Sequence, residues 1–124
     1  MGIMLVIALP RIHGLSDSLA VDRAAREIAA AHTRARMAAV LRGQVLELTV
    51  DASALAIRPR GGAAIWRADG PAAEGVKLTG PARTLTFSPI GITVGLSNAS
   101  FPLTKGAARR TVIVSRLGRV RIVP

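Results

Sequence analysis

The fold is decided by residues 3–42, which read IMLVIALPRIHGLSDSLAVDRAAREIAAAHTRARMAAVLR. The stretch opens with seven consecutive apolar residues, and Pro10 closes this run. Small apolar residues then recur at steps of three and four, which is the period of an amphipathic helix. They are Val21, Ala24, Ala25, Ile28, Ala31, Ala35, Ala38 and Ala39. Because this face consists mainly of alanine, it is smooth and shallow, and we expect it to pack closely against a sheet.

Two signals bound the predicted helix, which covers residues 15–42. Gly43 stands at the position of a C-terminal cap. Pro10 has no N–H group to donate to the preceding turn, so a kink or a break is expected there. Ser16 or Asp17 could cap a second helical segment, and a continuous but kinked helix is equally compatible with the sequence.

The remainder, residues 44–124, consists of short stretches with strand character separated by turns. Apolar and β-branched residues alternate in several of them, and Gly, Pro or Asp lies between them. The predicted strands are residues 44–50, 55–58, 84–88, 92–94, 99–103, 110–115 and 119–123, and residues 65–66 and 76–78 are short apolar pieces between them. The simplest architecture is α+β, with one long helix packed on a small antiparallel sheet.

Composition indicates a single domain with a thin core. The chain has 124 residues, half of them apolar but only 2% aromatic, so the core must consist of Leu, Ile, Val and Ala. Cysteine is absent, which excludes disulfides, thiolate metal sites and thiol nucleophiles.

The positive charge is concentrated in one half of the chain. The formal net charge is +10, and residues 75–124 carry eight basic and no acidic side chains. A preference for arginine over lysine does not explain the missing carboxylates. The partners that suit such a segment are nucleic acid, anionic lipid head groups or an acidic protein surface.

Catalytic and metal-binding patterns are not found in the sequence. His13 and His32 are not spaced with carboxylates as metal ligands, and the seven acidic residues are scattered singly. We therefore predict no catalytic residue, no metal site, no cofactor and no enzyme activity. His32 is expected at the edge of the alanine face, packed or half-exposed, and Trp66 is expected to pack the loop region onto the core.

The C-terminal hairpin carries the densest group of arginines: Arg109, Arg110, Arg116, Arg119 and Arg121. Strand alternation places Arg119 and Arg121 on one face, about 7 Å apart, where they can bridge adjacent phosphates of a nucleic acid strand. The alternative interpretation is a solvated strand face whose charge prevents pairing with another sheet edge.

The apolar run at the N-terminus is too short to span a bilayer, which takes about 20 residues. It also lacks the basic flank and the small-residue cleavage site of a secretory signal peptide. The run is therefore either the start of a buried helix or the tail of a longer apolar helix.

Taken in order, several segments resemble the type IV pilin-like minor pseudopilins of the H class, the GspH/FimT family. The resemblance covers essentially the whole chain. The segments are Ile7-Ala8-Leu9-Pro10, residues 34–43 (RARMAAVLRG), Trp66 before Asp69-Gly70, residues 85–91 (LTFSPIG) and residues 112–121 (VIVSRLGRVR). Members begin with a basic leader, a peptidase site and a full apolar half-helix. This sequence begins after those features, so we expect either a true start upstream or a copy without its insertion signal.

The resemblance implies a pilin-like fold, with residues 1–14 as the remnant of a hydrophobic N-terminal helix and residues 15–124 as the pseudopilin head. It implies a minor structural subunit of the type II secretion pseudopilus, which assembles with other pseudopilins for protein secretion across the outer membrane. The head would lie in the periplasm and the helix in the bacterial inner membrane. The residues assigned to the membrane or filament helix are Ile3, Met4, Leu5, Val6, Ile7, Leu9 and Pro10.

Two alternative functions remain open. Some family members are minor type IV pilins that bind DNA during natural transformation through a Gly-Arg-x-Arg motif. Here the matching residues are Gly118, Arg119 and Arg121, to which Arg109, Arg110 and Arg116 add charge. A soluble cytoplasmic nucleic-acid binder also fits the charge, but it leaves residues 3–9 unexplained.

Overall fold

The computed structural model describes residues 2–94, 99–115 and 119–124, and for residues 2–13, 93 and 94 it describes the backbone. One long helix, α1 (Gly2–Arg42), comes first, and a short 3-10 helix covers Pro71–Glu74. The strands in these ranges are β1 (Leu46–Val50), β2 (Ala54–Pro59), β3 (Trp66–Asp69), β4 (Lys77–Leu78), β5 (Arg83–Phe87), β6 (Thr93–Val94), β7 (Ala99–Lys105), β8 (Ala108–Val114) and β9 (Val120–Val123). The predicted α+β architecture is confirmed.

The strands form two antiparallel sheets, where the sequence suggested one. The first sheet has the order β3-β2-β1-β5-β6, and the second has the order β4-β7-β8-β9. Asp51 closes the β1–β2 turn, because its carboxylate accepts hydrogen bonds from the Ala52 N–H at 2.8 Å and the Ser53 hydroxyl at 3.1 Å. Long-range pairing then adds β5 beside β1 and β4 beside β7.

Helix α1 is continuous across Pro10. The helical backbone extends from Gly2 to Arg42, so Ser16 and Asp17 lie inside it and cap no second segment. A single proline removes only one hydrogen bond of the ladder, and the helical backbone continues for eight residues before Pro10 and 32 residues after it. The boundary proposed at residue 14 therefore coincides with no break in the backbone.

The predicted cap at the end of α1 is confirmed. Gly43 has φ +60°, in the left-handed region, and its N–H donates to the Val40 carbonyl at 3.3 Å. The Gln44 N–H donates to the Ala39 carbonyl at 3.2 Å. These two bonds form a Schellman motif, which explains why the helix ends at this glycine.

The core lies between α1 and the inner faces of both sheets. Seven of the eight predicted helix-face residues are buried, and the eighth, Ala38, is half-buried. Strand alternation supplies the opposite side of the core, in which Leu46, Leu48 and Phe87 are fully buried. Because alanine methyl groups fill little space, the helix backbone approaches the strands closely.

Among the described side chains, three ion pairs join the polar flank of α1 to the rest of the head. Asp22 contacts Arg110 at 3.0 Å, Asp17 contacts Lys105 at 4.0 Å, and Arg23 contacts Glu74 at 3.6 Å. All six side chains are at least partly exposed, so each pair contributes at most about 1 kcal/mol. Apolar burial, and not charge pairing, therefore holds the helix on the sheets.

Candidate binding surfaces

The apolar N-terminal run occupies the first turns of α1. The residues assigned to it, from Ile3 to Pro10, have helical backbone, and their side chains lie outside the described part of the structure. No helix among the described residues combines the length and the hydropathy that a membrane span needs. The assignment of this run to a membrane or filament helix therefore stays a prediction.

The described arginines of the C-terminal hairpin fall on two different faces of the second sheet. In β8, Arg109 is exposed on the outer face, while Arg110 lies on the side of Val112 and Val114, which is buried against α1. There the Arg110 Nε lies 3.0 Å from the Asp22 carboxylate. Arg109 and Arg110 thus lie on opposite faces of β8, because neighbouring strand residues point in opposite directions. Their assignment to DNA binding stays a prediction.

The outer face of the second sheet is basic. Arg121 pairs with Ile113 across β8 and β9, which places it on the same face as Arg109. Lys77 joins this face through the row Lys77–Thr104–Arg109. Arg119, one residue before β9, is also exposed, and its carbonyl accepts a bond from the Ser115 N–H at 2.8 Å. We call Lys77, Arg109, Arg119 and Arg121 the basic face. The predicted site residues Arg116 and Gly118 lie outside the described residues.

His32 is the one buried ionisable side chain in the described core. It is 2% exposed, and its ring packs edge-on against Phe87 with 5.0 Å between ring centroids. The Nε2 atom has no hydrogen-bond partner among the described residues. Burial lowers the pKa of His32 below its usual value, and the neighbouring Arg36 guanidinium lowers this pKa further. His32 therefore packs as a neutral aromatic ring.

Acidification is expected to destabilise the head through His32. In the unfolded chain the His32 imidazole binds a proton near pH 6.5, whereas in the folded chain it binds one only at lower pH. The stability that depends on neutral His32 is therefore fully present above pH 6.5 and is lost as the pH falls below it. We expect the urea midpoint of the wild type to drop between about pH 7.5 and about pH 5.5. His32→Leu removes most of this drop, and His13→Gln, which changes the other histidine, keeps it. An equal drop in His32→Leu and the wild type would show that other groups cause it.

Trp66 forms part of a cleft between α1 and the edge strand β3. The indole is half-buried and packs on the core, as predicted. In addition, the Arg34 guanidinium carbon lies 5.0 Å from the centre of the Trp66 ring, a cation–π distance. The cleft has a volume of about 340 Å³ and is lined by Glu27, Ala30, Ala31, Arg34, Leu55, Trp66, Ala68 and Asp69. No local pattern predicts that Arg34 and Trp66 meet, since this contact depends on how the helix crosses the first sheet.

The described residues contain no group of three or more histidine or acidic side chains that could hold a metal ion. The Glu27 carboxyl faces Glu74 near the Trp66 cleft. Burial is the main cause that raises the pKa of Glu27, and repulsion from the Glu74 carboxylate raises this pKa further. Arg23 opposes this shift.

Comparison with known proteins gives one family and one fold. A family model described as type II transport protein GspH matches residues 24–118. Two crystal structures of the type IV minor pilin FimU from Pseudomonas aeruginosa strain PAO1 have the same fold. The first, in space group P21, gives a TM-score of 0.69 at 24% identity and covers 84% of this chain and 88% of that chain. The second, in space group P65, gives a TM-score of 0.65 at 23% identity and covers 83% of this chain and 92% of that chain. No curated protein matches the chain in a sequence search.

Proposed function

Since the chain belongs to the GspH family of type II transport proteins, we propose that it is a minor subunit of the type II secretion pseudopilus, which exports folded proteins across the outer membrane. The observation that carries this proposal is the family match over residues 24–118, together with a minor-pilin fold. The role is structural: the protein assembles with sister pseudopilins and transforms no substrate.

The geometry suits an assembly role. Helix α1 has 41 residues, so it extends about 60 Å, while the buried part of its alanine face begins near Ala20. The first turns of α1, before Ala20, therefore lie outside the part of the helix that packs on the sheets. In this proposal the apolar residues 3–9 pack with sister subunits in the filament core or in the inner membrane, and the head lies in the periplasm.

Deletion of the gene in the organism that encodes it tests this proposal. We expect secreted proteins to accumulate in the periplasm and to disappear from the medium, with secretion restored by a plasmid copy of the wild type. Natural transformation is expected to stay at the parental frequency. Normal secretion in the deletion strain, with transformation lost, would refute the secretion role and favour the second candidate.

The second candidate function is DNA binding by a minor type IV pilin. The basic face favours it, because Arg109, Arg119 and Arg121 are exposed and residues 75–124 contain no carboxylate to offset their charge. Guanidinium groups that neutralise phosphates release counterions, so such binding must weaken as salt increases.

Gel-shift titration at several salt concentrations measures this directly. If the basic face binds duplex DNA, Arg119→Ala/Arg121→Ala weakens binding and lowers the slope of log affinity against log salt by about 2. The matched control is Arg58→Ala/Arg60→Ala, which removes two exposed arginines near the end of β2. Equal behaviour of the two double variants would mean that affinity follows net charge alone, and the DNA-binding function would be rejected.

A further inference from the structure

The C-terminal turns of α1 expose an apolar ridge that the head does not cover. Met37 is 56% exposed, Val40 49% and Leu41 80%, at the spacing of one helix face. The neighbouring turn continues this surface: Ile90 is 76% exposed, and a Cβ on Gly91 would lie 3.3 Å from the Val40 Cγ2 atom. We call Met37, Val40 and Leu41, with the flanking Arg34 and Arg36, the helix-end patch.

Each side of the ridge is a shallow depression that contains one arginine. The depression of about 570 Å³ is lined by Ala30, Thr33, Arg34, Met37, Ala38 and Leu41. The depression of about 360 Å³ is lined by Thr33, Arg36, Met37, Val40 and Leu41. Depressions beside a ridge accept the side chains of a second protein element. Methionine and arginine are also among the residues enriched at protein interfaces.

Both arginines are held in place before any partner arrives. The Arg34 guanidinium stacks on the Trp66 ring at 5.0 Å, and the Arg36 Nε donates a hydrogen bond to the Gly91 carbonyl at 3.1 Å. Side chains that are already ordered lose less conformational entropy on binding. Glu27 and Asp69 share the Trp66 cleft with Arg34, but neither depression beside the ridge has an acidic residue in its lining. Charge complementarity at these two depressions therefore requires a partner with carboxylates.

A second copy of this chain does not meet that requirement. The net charge of +10 opposes self-association. Among the described side chains of α1, a second exposed apolar pair is Leu15 and Leu19, 64% and 53% exposed. The nearby Asp17 and Asp22 are already paired with Lys105 and Arg110. A bilayer surface also fits poorly, because the helix surface between Leu19 and Met37 carries the exposed side chains of Arg23, Arg26 and Thr33.

We propose that the helix-end patch is a docking site for a different protein, which presents apolar side chains flanked by Asp or Glu. The apolar side chains contact Met37, Val40 and Leu41, and the carboxylates pair with Arg34 and Arg36. This inference goes beyond the proposed function, because it holds whether the assembled filament serves secretion or DNA uptake.

Two designed helical peptides of equal length test the chemistry of the partner. Both carry leucine at i, i+3, i+4 and i+7, and they differ only in glutamate or lysine at the flanking positions. Fluorescence anisotropy with the full chain is expected to show about tenfold tighter binding of the glutamate peptide. Met37→Ser/Leu41→Ser and Arg34→Gln/Arg36→Gln each weaken that binding about tenfold, while the fold is checked by thermal unfolding.

Two matched double variants separate docking from general attraction. Leu15→Ser/Leu19→Ser changes an exposed apolar pair at the same spacing, and Arg58→Gln/Arg60→Gln removes two exposed charges elsewhere. Both are expected to bind the glutamate peptide like the wild type. Equal loss in either control, or equal affinity for the two peptides, would overturn the proposal. So would binding to phosphatidylglycerol vesicles that depends on Met37 and Leu41 when the glutamate peptide does not bind.

Discussion

Replacing Gly70 with alanine is expected to lower the free energy of unfolding by about 3 kcal/mol or more. A Cβ at this position would lie 2.5 Å from the Ala52 carbonyl oxygen, 2.6 Å from the Asp51 carbonyl oxygen and 2.7 Å from the Ala54 nitrogen. All three are backbone atoms, so no side-chain rotation relieves the contact. The backbone itself is unstrained, with φ −84°, and the penalty is purely steric.

The contact exists because Gly70 seats the 3-10 helix against the β1–β2 turn. The Gly70 N–H donates a hydrogen bond to the Ser53 carbonyl at 3.1 Å. The Ala72 N–H donates a second one to the Ala52 carbonyl at 2.9 Å. Urea unfolding measures the loss. The matched control is Gly14→Ala, an exposed helical position with no atom near the added methyl group, where stability should rise by up to about 1 kcal/mol. Equal effects at Gly14 and Gly70 would refute the close-approach explanation.

Replacing Ala35 with leucine is expected to cost about 3 kcal/mol, because three additional carbon atoms must fit where the helix approaches the sheets. Ala35 is 0% exposed, as are Ala25 and Ala39 on the same face. The larger side chain has to displace the helix or its neighbours, because a fully buried position in a closely packed core leaves little free volume.

Ala30→Leu is the control for this second substitution. Ala30 is exposed on the same helix, and leucine is nearly as good a helix former as alanine, so we expect a change within about 0.5 kcal/mol. Thermal and urea unfolding of the two variants give the comparison. If Ala35→Leu were as stable as Ala30→Leu, the alanine face would not be the close contact surface that organises the head.

Local patterns predicted the elements because each depends on nearby residues. The helical period placed the alanine face, Gly43 marked the helix end, and strand patterns located seven of the nine described strands to within a few residues. The other two, β3 and β4, were visible only as short apolar pieces. The division into two sheets was missed because it depends on distant pairings, such as Leu48 with Leu85, which no local signal encodes. The contact of Arg34 with Trp66 depends on the same long-range arrangement.

Arg109 and Arg110 lie on opposite faces of β8. Consecutive residues of a strand point to opposite faces, so the sequence already implied that the two arginines separate. The identity of the inward partner, Asp22, was not implied, because nothing local relates a helix residue to a strand 88 positions later.

The separation of these two arginines also bears on how the gene can diverge. Position 110 is tied to position 22 by an ion pair across the helix–sheet boundary, whereas position 109 faces solvent. Homologues should therefore exchange residues 22 and 110 together and vary residue 109 independently of both. Two adjacent positions with the same amino acid are thus under different selective constraints, although they are neighbours in the sequence.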